Sequence, residues 1–266
     1  KKSPENLNTD RYVEKIEGNV FTTKQGFSLI AERMGNEIKR LGGKIHLNRF
    51  AKEISCLNNK IESVRVSMGV AEEVIECDYV ISTIPINKLN ELFSPPPNQK
   101  ISDASNNLKF RATLFVGIVI NRKKVLPASF MYFREISFNR IMDLGYFGTQ
   151  ITPDNATILI VEVNCETRDF IWIKENYAKE MVIKDLVNEK LITEEEILEC
   201  HVFKAPNAYP IYLLNYEKDL KTIFDWVNCI QNLQVIGRQG RFQYINSHVA
   251  MKMGYNAADK IINATQ

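Results

Sequence analysis

Close to its C-terminus the chain carries a short apolar run, Leu233-Gln-Val-Ile236. It passes directly into Gly237-Arg238-Gln-Gly240 and then Arg241-Phe-Gln-Tyr244-Ile-Asn246. A segment with small residues at Ala250, Gly254, Ala257 and Ala258 follows. This order reads as strand, sharp turn and helix, and it constrains the fold more than any other stretch. A glycine where the strand ends lets the backbone approach a ligand with no side chain in the way. Backbone N–H groups and the positive end of the dipole at a helix start favour negative charge. Arg238 adds a guanidinium fork of the shape that pairs with phosphate. The plainer alternative stays open at this point: Gly237-Arg238 as a surface turn, with Asn246 or Ser247 as a simple helix cap.

The length of 266 residues allows one large domain or two smaller ones with a proper core. The formal net charge is +2, with lysine and arginine interleaved with aspartate and glutamate, so a nucleic-acid footprint is not expected. No apolar run approaches a membrane span, and Lys-Lys-Ser-Pro-Glu-Asn at the start has no signal-type apolar region. The sequence does not begin with methionine, which fits a piece of a longer protein. The cysteines (Cys56, Cys77, Cys165, Cys200 and Cys229) are scattered without a C-x-x-C pair, which points to buried free thiols and a cytoplasmic location. His46, His201 and His248 lack metal-ligand spacing, so no metal site is expected.

Residues 1–17 are polar and carry little signal. Leu29, Ile30, Met34, Ile38 and Leu41 repeat at helical spacing, with Ser28 placed to cap the helix and Gly42-Gly43 to end it. Lys44–Asn48 reads as a short strand. Ala51–Leu57 and Ile61–Met68 alternate around Asn58-Asn59-Lys60, a hairpin pattern, and Val74–Cys77 adds a third strand. Asp78–Pro85 is an apolar strand ending at proline. Beyond the punctuation of Ser94-Pro-Pro-Pro97, strands are predicted at Phe110–Asn121, Phe130–Phe133, Thr157–Asn164 and His201–Lys204. Helices are predicted at Glu175–Lys190, at a start near Thr193, and at Tyr216–Ile230.

Several of these motifs stand in a telling order: Gly26-Phe-Ser-Leu29 opening the first helix, Gly42-Gly-Lys-Ile45, Asp78-Tyr-Val-Ile-Ser-Thr-Ile-Pro85, and the terminal Gly237-Arg238 segment. In that order the chain, from about residue 18 to 266, resembles FAD-dependent flavoproteins of the amine oxidase, protoporphyrinogen oxidase and UDP-galactopyranose mutase group. The first FAD segment of that group, an N-terminal strand-turn-helix with G-x-G-x-x-G, does not occur in this sequence. The resemblance therefore implies the C-terminal portion of such an enzyme. The implied fold class is mixed α/β: part of a Rossmann-type FAD domain (residues 18–85 and 230–266) around an inserted mixed-sheet substrate domain (86–229). It also implies that Gly237 and Arg238 meet the FAD pyrophosphate. Asn246, Ser247 and His248, with Tyr244 leading into them, would lie near the flavin ring, and Thr83 and Pro85 would approach the adenosine side. An ordinary buried strand ending at Pro85 accounts equally well for Thr83 and Pro85. Members that act as UDP-galactopyranose mutases carry acidic residues near the helix start, where this chain has Tyr244-Ile-Asn-Ser-His248.

A second set lies in the middle of the chain. Tyr132, Arg134 and Arg140, with Ala208-Tyr209-Pro-Ile-Tyr212, resemble segments of polysaccharide-associated relatives of the mutases. Arginines suit a sugar diphosphate and tyrosine rings suit a sugar or base face. A mixture of core tyrosines and exposed arginines would look the same. The reading is thus the C-terminal part of an FAD-dependent oxidoreductase or mutase-like flavoenzyme acting on a small substrate, for example a nucleotide sugar in surface-polysaccharide synthesis. Its partner would be the N-terminal FAD-binding segment, and alone it would bind FAD weakly and be inactive. The alternative is a stand-alone binding or interaction module that has lost the cofactor.

Overall fold

The computed structural model describes residues 22–265. In chain order the elements are α1 (Ser28–Arg40), β1 (Phe50–Leu57), β2 (Lys60–Met68), β3 (Ala71–Glu76), β4 (Val80–Ser82), α2 (Ile86–Leu89), β5 (Phe93–Ser94), α3 (Gln99–Asn107), β6 (Lys109–Ile120), β7 (Phe130–Tyr132), β8 (Arg140–Asp143), β9 (Thr157–Cys165), α4 (Phe170–Ile173), α5 (Glu175–Asn188), β10 (Ile197–Ile211), α6 (Tyr216–Val227), β11 (Leu233–Val235), α7 (Gly237–Gly240) and α8 (Ser247–Thr265), with short 3₁₀ turns between some of them. The expected mixed α/β class holds. Two compact units form. Among the described residues the first comprises 48–109 and 212–265, and the second 22–47 and 110–211.

In the first unit β1 and β2 make the expected hairpin. Asn58 and Asn59 both take positive φ (50° and 60°), the geometry of a two-residue hairpin turn that asparagine tolerates. The four-stranded sheet runs β3-β2-β1-β5, and a separate two-stranded parallel sheet pairs β4 with β11, Val80 beside Leu233 and Ser82 beside Val235. Asn232 joins the two: its side chain accepts from the Ile61 N–H at 2.8 Å and donates to the carbonyls of Ile61 and Asp78, each at 2.8 Å. Helix α3 packs on α6, and the Phe93 and Trp226 rings meet edge to face at 4.8 Å.

The second unit is built on a five-stranded sheet ordered β10-β6-β9-β8-β7. Alternation in β6 and β9 gives it one core face. Leu114, Val116 and Ile118 lie opposite Val163, Val161 and Leu159, and all are buried together with Ala178, Val182 and Leu186 of α5. The same register puts Phe115 opposite Glu162, Arg140 opposite Glu162, and Tyr132 opposite Arg140 on the other face.

Several expectations are corrected. Ser28 is the first residue of α1 rather than its cap; Phe27 holds the cap position without a side-chain bond, and the helix ends on Gly42 at φ 88° as expected. Lys44–Asn48 forms no strand among the described residues, because no neighbouring backbone pairs with it. The strand read as Asp78–Pro85 is paired only over Val80–Ser82, the length that β11 matches. Thr193 opens a single 3₁₀ turn that runs straight into β10, which extends well beyond His201–Lys204. Helix α3 went unread; Asn98 caps it through the Ile101 N–H at 3.3 Å. By packing, the two units divide at 109/110 and 211/212, with α3 and α6 held against each other in the first unit. Residues 22–47 cluster with the second unit, and residues 18–21 of the expected FAD stretch lie outside the described residues.

Candidate functional site

The first constellation lies at the carboxyl ends of β4 and β11. Because these strands are parallel, both chains leave the sheet on the same side, the side on which open parallel sheets bind ligands. The Ile236 N–H donates to the Ser82 carbonyl at 2.9 Å, and the chain then turns at Gly237 with φ 80°. A side chain there would be strained whatever the space, so glycine is required. An added Cβ would sit 3.7 Å from the Thr83 methyl, which places Thr83 and Gly237 side by side. Thr83 is exposed and Pro85, half-buried, leads into α2.

Arg238 lies in the one-turn helix α7. Its Nη1 donates to the Ile245 carbonyl at 2.9 Å, and its guanidinium covers the Tyr244 ring at 4.4 Å. It therefore holds the loop that leads to α8. Tyr212 supports the same loop: its hydroxyl accepts from the Tyr244 N–H at 2.9 Å, and its ring packs against Tyr216 and Phe242. The long helix starts only at Ser247, so the dipole argument attaches to α8 and not to the turn at Gly237. Asn246 precedes it, its carbonyl accepting from Val249 and Ala250, with Ser247 exposed and His248 half-buried. Val249, Met253, Ala257 and Ile261 form the less exposed stripe of α8.

The second constellation belongs to the second unit. Arg140 donates to the Glu162 carboxylate from Nε at 3.0 Å and also from Nη2. Nη1 and Nη2 reach the Tyr132 and Tyr209 hydroxyls, each at 3.4 Å, and Tyr209 donates to the other Glu162 oxygen at 3.0 Å. The ion pair is largely withdrawn from water, with side-chain exposures of 22% and 8%. Burial by itself would lower the Arg140 pKa; the bond and charge of Glu162, with the tyrosine hydroxyls, more than offset it and hold the guanidinium above its ordinary range.

Of the expected substrate set, the structure brings Tyr132, Arg140 and Tyr209 together. Arg134 lies exposed in the β7–β8 loop, and Tyr212 belongs to the first unit. Glu162 was missed, although a lone acid inside the apolar run Ile158-Leu-Ile-Val-Glu162-Val was a visible signal. The cysteines are free, but only Cys165 is buried and Cys229 is exposed, so the expectation of uniformly buried thiols is corrected. Burial pushes the Cys56, Cys77, Cys165 and Cys200 thiols up, away from thiolate chemistry. Among the described residues no three His, Cys, Asp or Glu side chains are grouped to hold a metal, and no helix is long and apolar enough to cross a membrane.

Residues 5–170 match the family model of flavin containing amine oxidoreductase, more than half of the chain. The chain belongs to that family, whose cofactor is FAD. Its fold is also that of several solved structures. Reduced UDP-galactopyranose mutase superposes with a TM-score of 0.75 at 17% identity, covering 90% of this chain and 52% of that one. A protein described as a putative protoporphyrinogen oxidase, from Exiguobacterium sp. 255-15, gives 0.63 at 15% identity, covering 82% and 47%. Wild-type putrescine oxidase bound to putrescine gives 0.63 at 16% identity, covering 89% and 53%. The chain thus spans about half the length of these structures. No match was found among curated proteins.

The residues at the β4 and β11 ends fit a flavin nucleotide. Gly237 leaves the backbone uncovered, Thr83 and Ser247 offer exposed hydroxyls, and Asn246 offers an amide. These are the neutral donors that phosphate and ring-edge oxygens and nitrogens accept from.

Proposed function

We propose that this chain is the C-terminal part of an FAD-dependent oxidoreductase or mutase-like flavoenzyme that acts on a small substrate. A nucleotide sugar is the substrate class in best accord with the tyrosine-lined face of the second unit. The observation that carries the reading is the juxtaposition of Thr83 and Gly237 at the carboxyl ends of two parallel strands, in a chain of a flavin family. Gly237 and Thr83 would hold the nucleotide phosphates and adenosine side, with Pro85 shaping the approach. Asn246, Ser247 and His248 would border the ring, positioned by the Arg238–Ile245 bond and by Tyr244. FAD, when bound, supplies the electron chemistry, while the protein supplies orientation and electrostatics. Tyr132 and Tyr209, with Arg140 behind them, would line the substrate side of the second unit, and Arg134 would contribute from the β7–β8 loop. An N-terminal dinucleotide-binding segment would complete the FAD site, and free cysteines favour a reducing cytoplasm.

The test is the visible spectrum of the full-length protein. A flavin spectrum is expected there, with little or no flavin retained by this 266-residue chain alone. A rival reading, a binding module without cofactor, draws support from the engagement of Arg238 in its own loop. A colourless full-length protein that takes up no added FAD would decide for that rival.

A further inference from the structure

Arg140 is the cation that a sugar diphosphate would be expected to meet on the tyrosine-lined face. Its donors tell otherwise. A guanidinium carries five N–H groups in a fixed fork and grips an anion through two parallel donors on one edge. The Nε/Nη2 edge of Arg140 is spent on Glu162. The opposite end, Nη1/Nη2, faces the Tyr132 and Tyr209 hydroxyls at 3.4 Å each. No edge is left to fork a phosphate, and the Glu162 charge cancels that of Arg140. A largely buried pair of this kind contributes little net stability, because desolvation offsets the attraction. Its effect is on what the face can recognise.

We propose that Glu162 is the specificity-determining residue of this face. It withdraws Arg140 from anions and leaves the exposed Tyr132, beside the Tyr209 ring, to bind a neutral, hydroxyl-bearing ligand, the sugar ring rather than the phosphates. Tyr132 is suited to this. Its hydroxyl oxygen accepts from Arg140, so its O–H proton is directed elsewhere, and the residue is 68% exposed. Tyr209 is held by Glu162, so the ion pair orients both phenols. An aromatic ring bearing a fixed hydroxyl offers an apolar surface to sugar C–H groups and a hydrogen bond to a sugar oxygen. This inference rests on reading the face as the substrate side.

Pyrophosphate and methyl β-galactoside are the probes, titrated into the full-length protein and followed by the ring signals of labelled tyrosines. With the wild type, methyl β-galactoside shifts the Tyr132 and Tyr209 signals and pyrophosphate does not. Glu162→Gln keeps an acceptor for Arg140 but leaves its charge uncompensated, so pyrophosphate binding should tighten about tenfold or more. That gain should vanish in the Glu162→Gln/Arg140→Met double variant. Tight pyrophosphate binding by the wild type that is lost in Arg140→Met overturns the proposal, as does a folded Glu162→Gln variant that gains nothing. If Glu162→Gln does not fold, Tyr132→Phe, altered only at an exposed hydroxyl, carries the test: galactoside shifts at Tyr209 should weaken. Their persistence unchanged, or their absence in the wild type, rejects the ligand class. None of these titrations needs flavin, so a colourless full-length protein would sink the flavoenzyme reading and leave them readable.

Discussion

In the second unit the strand register sets Leu114, Val116 and Ile118 directly against Val163, Val161 and Leu159, and α5 closes over them with Ala178, Val182 and Leu186. In the first unit the sheet that leads into Thr83 and Gly237 has only two short strands, β4 and β11, tied to the neighbouring hairpin through the side chain of Asn232. Both units bury apolar side chains, but the five-stranded sheet lies over a continuous apolar face, whereas the two-stranded sheet is joined to its neighbouring hairpin through the polar bonds of Asn232. A site on the first kind of scaffold can carry a buried ion pair, since removing it leaves the apolar core intact. A site on the second kind is only as well placed as its pins.

The largest effect should come from the apolar core. Leu159 is fully buried on the core face, and Leu159→Ala should cost about 2–5 kcal/mol through lost burial and the cavity left behind. Amide hydrogen exchange, read segment by segment, should show the loss of protection concentrated in residues 110–211. Equal loss across both units would break the comparison.

Asn232→Ala tests the other half. It strips partners from the Ile61 N–H and from the carbonyls of Ile61 and Asp78, and buried groups left unsatisfied cost about 1–3 kcal/mol each when water cannot replace the partner. A net loss of about 2–3 kcal/mol is expected, with exchange rising first at β4 and β11. If these strands stay protected, the sheet does not depend on that pin.

Elements governed by local pattern were legible in the sequence. The asparagine turn between β1 and β2, the alternation of β6 and β9, and the glycine ends at Gly42 and Gly237 each leave a short-range signature. The polar pins were not. Asn232 bonds to residues far away in the chain, and the buried Asp143 gathers the N–H groups of Val125, Leu126 and Gly145 with the Thr157 hydroxyl. No spacing rule announces either. The same holds for the sites: the glycine turn could be read because backbone conformation is local, whereas the Arg140–Glu162 partnership exists only once β8 and β9 pair.

Arg238→Ala comes third. It removes the donor to the Ile245 carbonyl and uncovers the Tyr244 ring, so the chain should lose about 1–2 kcal/mol in a thermal or denaturant melt. In the full-length protein, flavin retention should fall by more than that loss explains, because the loop entering α8 is no longer held. Unchanged flavin retention beside a lowered melt would make Arg238 a residue of the loop alone.

The smallest effect separates two helix starts. Asn98 caps α3 in the first unit through its side chain, whereas Ser28 in the second unit is already helical and makes no cap bond. An effective cap is worth about 1 kcal/mol, and a surface change away from any such feature stays within about 0.5 kcal/mol. Asn98→Ala should therefore lower stability by about 1 kcal/mol, with exchange quickening in the first turn of α3, while Ser28→Ala should leave the melt nearly unchanged. Ser28 was the residue the sequence offered as a cap, and Asn98 was not. Equal losses from the two substitutions would mean that Ser28 does cap α1 in solution, and that the two helix starts are held alike.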